Sequence, residues 1–276
     1  MAAPAEDAPD YSSPTVYDQS VVPRYAQRFV DLLLRVVELP QRSHVVDLAC
    51  RTGHLALELL ERMPDGRIVA LDADERYVDM LRARAARDLG RRLFPAVHGT
   101  DTLPFDDGTF SLAVCNLVDR VSTDRSALLS ETARVLRPGG QIVLTQPMQG
   151  SFVEVIDLLR EVALKYDMPR VAARVDEYVA SLPSAAQWRD ELTAFGFDWI
   201  AIEQSQFELV FSRNQSLLSD PAVVACAAPE WQWCASAANE PEQVLYRLQD
   251  AIELYFDDHD FELSVVAGCV SARRAT

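Results

Sequence analysis

Lysine is all but missing from this 276-residue sequence: Lys165 is the only one, so its 26 basic residues are almost all arginine. Set against 42 acidic residues, they leave a net charge of −16 and a pI near 4.6. A chain this acidic repels phosphate backbones, which argues against nucleic acid as partner or substrate. The densest basic stretch, Arg82 to Arg92, reads as the solvated face of a helix. Long apolar runs are lacking too. None approaches the ~18 residues needed to span a bilayer, and no basic, apolar leader opens the chain. The expectation is a cytoplasmic protein with no membrane partner. Cysteine is sparse and unpaired, with five residues (50, 115, 226, 234, 269) and no CxxC spacing, and the four histidines are scattered. Neither a disulfide framework nor a metal site follows from such spacing.

What is present is enough apolar sequence, 49% of residues, to bury a sizeable core. Its organising stretch is residues 44–72. A short apolar run, His44-Val45-Val46, ends in Asp47, and a small-residue turn from Ala49 to Gly53 follows. A helical pattern comes next, with Leu55, Leu59, Leu60 and Met63 on one side, broken by Pro64-Asp65-Gly66. A second buried-strand run, Ile68 to Leu71, ends in Asp72. Strand, tight turn, helix, strand and acid form the first half of a nucleotide-binding crossover. The turn brings backbone close to a ligand at a helix N-terminus, and the acid accepts from ribose hydroxyls. Asp72 lies 19 residues past Gly53, near the ~20 expected of that acid.

The rest of the chain reads as further crossovers. Residues 1–13 are polar and proline-bearing, an expected disordered tail. A helix is predicted from Val21 to Leu39, and Asp74 is placed to cap another running to Leu89. Residues 93–97 form a third strand, where Pro95 suits an edge position. Leu112 to Cys115 and Gln141 to Thr145 are strands four and five, with a helix capped by Ser122 or Thr123 between them. Helices at 151–166 and 169–180 then form an insertion. A helix at 185–195 precedes strand six, Trp199 to Glu203. Residues 207–240 are the least regular: Phe207 to Phe211 alternates like a strand, and Trp231 and Trp233 suit buried cover over the sheet or a pocket wall. A helix from Pro241 to Phe256 and a last strand from Phe261 to Ala272 complete the pattern.

Several of these stretches resemble the class I S-adenosylmethionine-dependent methyltransferases, especially their small-molecule "type 11" branch. Asp47, Ala49, Cys50, Thr52 and Gly53 match the first motif, Asp-x-Gly/Ala-Cys-Gly-Thr-Gly, while Arg51 stands where glycine is usual. The segment Gly99 to Phe110 matches Gly-Asp-Ala-x-x-Leu-Pro-Phe-x-Asp-x-x-Phe-Asp, but with Gly99 in the place of the adenine-binding Asp and Ser111 for the final Asp. Arg134 to Gly140 follows Arg-Val-Leu-Lys-Pro-Gly-Gly almost residue for residue. Leu192 to Phe197 and Ser271 to Arg274 match two later signatures.

The resemblance implies an α/β fold: a doubly wound, mostly parallel seven-stranded sheet of Rossmann-like type, with a helical insertion between strands five and six. It implies one domain over 14–276, with a core at 44–146, a helical cap at 148–181 and C-terminal strands and helices at 184–274. S-adenosylmethionine would be held by Asp47, Ala49, Arg51, Gly53, Asp72, Ala73, Thr100, Asp101 and Asn116. Insertions at this place commonly build the pocket for a small-molecule acceptor in that family, but the apolar faces here (Phe152, Val155, Ile156, Leu159 and Val171, Val175, Tyr178) read as core before pocket. Tyr17 either closes over the cofactor or staples the helix entry. No catalytic residue, metal ligand or oligomeric state is assigned. Two functions stay open. One is methyl transfer to a small molecule by in-line displacement. The other is a scaffold without turnover, a binding or regulatory partner. The first is the reading adopted. Arg51, Gly99 and Ser111 speak for the second, since the Arg51 side chain could fill the cofactor slot, though it could also turn outward or pair with the cofactor's carboxylate.

Overall fold

The computed structural model describes residues 13–85, 87–118, 125–212, 217–255 and 259–276. Its strands are β1 (His44–Leu48), β2 (Arg67–Asp72), β3 (Leu93–Val97), β4 (Phe110–Cys115), β5 (Leu136–Pro147), β6 (Phe197–Phe211) and β7 (Phe261–Arg274). They form one sheet in the order β3-β2-β1-β4-β5-β7-β6. The first five are parallel, and β7 runs antiparallel between β5 and β6. The strand order reverses between β1 and β4, where open α/β sheets bind ligands. Pro95 lies in β3, at the edge of the sheet as expected, because proline has no N–H to give a second neighbour.

Alternation along the strands feeds two apolar layers. Val45 faces one side and Val46 the other, each fully buried. The helices on the first side are α2 (Gln27–Val36) and α3 (His54–Arg62). On the second, α5 (Arg125–Val135) and α8 (Ala185–Ala194) supply Leu128, Leu129, Trp188 and Leu192. Helix α8 opens on a complete capping box, with Ser184 and Gln187 satisfying each other's backbone N–H groups. Residues 119–124, where Ser122 and Thr123 were expected to cap a helix, lie outside the described residues, as do 1–12 of the expected tail.

Three expectations need correction. The first helix begins not at Val21 but at Pro14. A short turn, α1 (Pro14–Val16), leads into a π-helical stretch, Tyr17–Ala26, and then into α2. Pro23 lies inside that stretch. Proline cannot donate to the preceding turn and crowds it, and the wider π turn relieves both conflicts. Second, the strand expected at 199–203 and the alternating run at 207–211 are one 15-residue strand, β6, paired with β7 almost along its length. Third, the arginines of 82–92 are not merely a solvated face. Arg84 binds Asp18 and the Thr52 carbonyl, and Arg92 binds Asp88 and the carbonyls of Leu60 and Met63, the latter just past α3.

The β6–β7 pair outruns β5, whose pairing with β7 covers only Ala267 to Arg273. Its free end carries a helical cap. The insertion helices α6 (Val153–Lys165) and α7 (Pro169–Ser181) pack against α10 (Ala228–Ala235) and α11 (Pro241–Tyr255), and α9 (Pro221–Cys226) joins the π-helical stretch. Trp231 is the hub: fully buried, with its ring edge-on to Phe152 at 6.2 Å.

Candidate functional site

The turn from β1 to α3 is built on positive backbone angles. Ala49, Arg51 and Gly53 have φ of 63°, 50° and 78°. Glycine is required at position 53 on two counts. Its φ is left-handed, and a Cβ there would fall 2.1 Å from Cδ1 of Leu81. At Arg51 a Cβ is tolerated in the same region, at a cost of about 1 kcal/mol. What holds it is Asp72: the Arg51 N–H donates to one carboxylate oxygen (2.9 Å) and the Asp74 N–H to the other (3.0 Å). Asp72 is therefore the post on which both the first turn and the β2 exit hang. Asp74 caps α4 (Glu75–Arg84), accepting from the Arg76 N–H as expected. The hydrogen bonds from Arg76 also hold its carboxyl below the usual range.

Beneath the turn, Asp47 is buried, and its Oδ2 has no hydrogen-bond partner. Burial first, and then the charge of Asp72, push its carboxyl up to about 8, so it holds its proton at neutral pH. Cys50 is pushed up for the same reasons, with burial the largest and the two aspartates adding to it. All five cysteines are free and buried.

Above the turn opens a cavity of about 480 Å³. Arg51 forms part of its wall, with the guanidinium 5.3 Å from the centre of the Tyr77 ring. Tyr17 meets the same ring edge-on at 5.7 Å and lines the cavity, beside Val21 and Tyr25 on the π-helical stretch. Tyr17 thus both borders the cavity and packs at the helix entry. Leu117, just past β4, closes another side. The far wall is Val224, Ala225 and Pro229, from α9 and the start of α10. No residue of the 148–181 insertion lines the cavity, in line with the core reading of its apolar faces. The apolar faces of α6 and α7, with Val155, Leu159, Val171 and Val175 fully buried, go into the core of the cap instead.

Of the nine residues expected at a cofactor site, Arg51 alone lines the cavity. Ala49, Gly53 and Asp72 shape the turn under it, and Asp47 lies below. Ala73 and Asp101 are exposed, Thr100 is buried, and none of the three borders the cavity. Asn116 is drawn away from it, since its amide bonds the Ala26 carbonyl and the Thr145 hydroxyl. Sequence reasoning missed Tyr77, Leu117 and the wall at 224–229 as lining residues. Tyr77 carried one usable signal, an aromatic one turn into the helix that follows the ribose-type acid. Among the described residues no group of His, Cys, Asp or Glu is arranged to hold a metal ion, and no helix is long and apolar enough to cross a membrane.

A methyltransferase-domain family matches residues 45–140, the span from β1 to the start of β5 proper. A demethylmenaquinone methyltransferase of Deinococcus radiodurans is 30% identical over 210 residues, covering 64% of this chain and 82% of that protein. The chain belongs to the class I S-adenosylmethionine-dependent methyltransferases. A second relative of the same name, from Thermus thermophilus, is 37% identical over 133 residues, or 47% of this chain and 58% of its own length. Among solved structures, the YcgJ protein from Bacillus subtilis aligns at TM-score 0.58 with 15% identity, covering 91% of this chain and 99% of its own. Haemonchus contortus phosphoethanolamine N-methyltransferase 2, solved with S-adenosyl-L-methionine, aligns at 0.57 with 14% identity over 96% of this chain and 56% of its own. These two likenesses are of fold. The relatives are named as enzymes, so the reading of this methyltransferase as a scaffold without turnover gains no support from them.

Proposed function

We propose that the cavity over the β1–α3 turn seats S-adenosylmethionine and that the methyl passes to a small, apolar acceptor. The observation that carries the reading is the open cavity at the reversal of strand order. It stays open even though Arg51 stands in its wall. Its volume lies within the ~300–1,000 Å³ of ordinary small-ligand sites. The residues fit the cofactor's chemistry. The Tyr77 and Tyr17 rings offer faces for a planar base, and the Arg51 guanidinium offers donors to a carboxylate. Asp72 has used one lone pair on each oxygen, which leaves acceptor capacity for a hydroxyl. The orphaned Oδ2 of Asp47 is a further buried polar atom beneath the turn. Ala49 and Gly53 then serve through the backbone of the turn under the cavity, and a role for Ala73, Thr100, Asp101 or Asn116 would need the bound cofactor to reach beyond it.

When bound, the cofactor supplies a methyl made electrophilic by its sulfonium. The protein's own part is to hold a nucleophile against it and keep water out, and such positioning is worth up to ~7–11 kcal/mol in well-oriented systems. Val21, Leu117, Val224, Ala225 and Pro229 make the acceptor side apolar. With a net charge of −16, the surface disfavours anionic acceptors. The names of the relatives make a quinone-type ring the first acceptor to test.

Titration calorimetry should give micromolar binding of S-adenosylmethionine by the wild type and none by Asp72→Ala. Isotope-labelled methyl should then appear on a demethylated quinol. An absence of heat and of any thermal shift at millimolar cofactor would end the reading.

A further inference from the structure

Leu117, two residues past the end of β4, is held in a conformation that leucine rarely adopts, with φ of +60°. Three hydrogen bonds explain how. The Leu117 N–H donates to the Thr145 hydroxyl oxygen at 3.0 Å, inside the protein. That hydroxyl gives its single proton to Oδ1 of Asn116 at 2.7 Å. The Asn116 amide nitrogen reaches the Ala26 carbonyl, 3.4 Å away, at the end of the π-helical stretch. Thr145 is fully buried in β5 and touches no part of the cavity itself. Its hydroxyl nonetheless secures two cavity walls at once. One is Leu117. The other is the stretch bearing Tyr17, Val21 and Tyr25, joined through Asn116.

We propose that Thr145 is a positioning residue for the cofactor site, setting the β4 tip and the π-helical wall relative to each other. The inference rests on the reading that this cavity binds S-adenosylmethionine. A hydroxyl is needed because the position must accept one hydrogen bond and donate another, which serine can do and valine, of nearly the same shape, cannot. Thr145→Val would leave the buried Leu117 N–H and the Asn116 oxygen without partners and release Leu117 from its left-handed angle. The matched control is Thr132, another fully buried threonine, whose hydroxyl donates to the Leu128 carbonyl within α5 on the opposite side of the sheet.

The test measures dissociation constants for S-adenosylmethionine and S-adenosylhomocysteine by calorimetry, with thermal unfolding alongside. Thr145→Val should weaken both ligands about tenfold, and Thr145→Ser should stay within about twofold of wild type. Thr132→Val should lose thermal stability and keep its affinity. Once an acceptor is turned over, KM for the cofactor should rise more than kcat falls. Unchanged affinity in Thr145→Val would overturn the proposal, as would a serine variant no better than valine or an equal loss in Thr132→Val. Should Thr145→Val not fold, Asn116→Ala provides the second arm. It is expected to weaken binding less, because Leu117 keeps its acceptor, and no weakening at all would count against the proposal. Wild type that fails to bind either ligand would instead end the underlying reading.

Discussion

The two halves of this molecule are assembled on different scales. From β1 to β3, each element packs on one that came just before it: the turn at 49–53 is pinned by Asp72, and Gly53 by Leu81. From β5 onward the partners are distant. β6 pairs with a strand some fifty residues later, and the cap joins helices at 153–181 to others at 221–255. The cavity lies where the halves meet, one wall from each. A site can thus have a floor written in one contiguous motif and a ceiling assembled from pieces that no local pattern connects.

If the halves differ in this way, they should also come apart differently. Trp231→Ala, in the heart of the cap, should cost about 3–5 kcal/mol. Hydrogen exchange should show amides of 153–181 and 221–255 losing protection while β1, β2 and α3 keep theirs. An even loss across both halves would make them one cooperative unit. Glycines give a second contrast. Gly53→Ala meets Leu81 at 2.1 Å with a left-handed backbone and should cost about 3 kcal/mol in chemical denaturation. Gly268→Ala would meet the Met148 side chain at 2.3 Å on extended backbone. An unbranched methionine gives way more readily, so about 2 kcal/mol is expected.

A last contrast concerns pH. The folded Asp47 carboxyl, pushed up to about 8, keeps a proton that an unfolded chain releases near 3.8. Its contribution to stability is therefore complete below that lower value and fades as pH rises towards 8. Asp47→Asn should flatten the decline between about pH 5 and about pH 8. A variant with the wild-type slope would show that the turn does not bury a titrating acid.

Much of the fold was legible because its signals are short. Asp47, Gly53, Asp72, Asp74 and the Arg134–Gly140 segment each announce a local geometry, and the sheet follows from their order. The site was legible only as far as its turn. Asp72 was read for what it would offer a ligand, whereas its oxygens first serve the backbone at 51 and 74. Asn116 bonds Ala26 and Thr145 through its side chain, and it is the neighbouring Leu117 that borders the cavity. Arg51 stands where glycine is usual, yet it adopts φ of 50°, with two hydrogen bonds to the Asp72 carboxylate fixing the turn around it. The wall at Val224, Ala225 and Pro229 had no signal at all. Small apolar residues on short helices look alike whether they face a core or a ligand.

The place of β7, threaded between β5 and β6, has a consequence for synthesis. During translation β6 leaves the ribosome well before the strand that ties it to the sheet. Until then its alternating apolar face and unpaired edge are open to stray pairing with other nascent chains. The nucleotide half can settle early, while the cap must wait for the final crossover. Any chaperone dependence of this enzyme should accordingly fall on ribosome-stalled chains that end between residues 211 and 261.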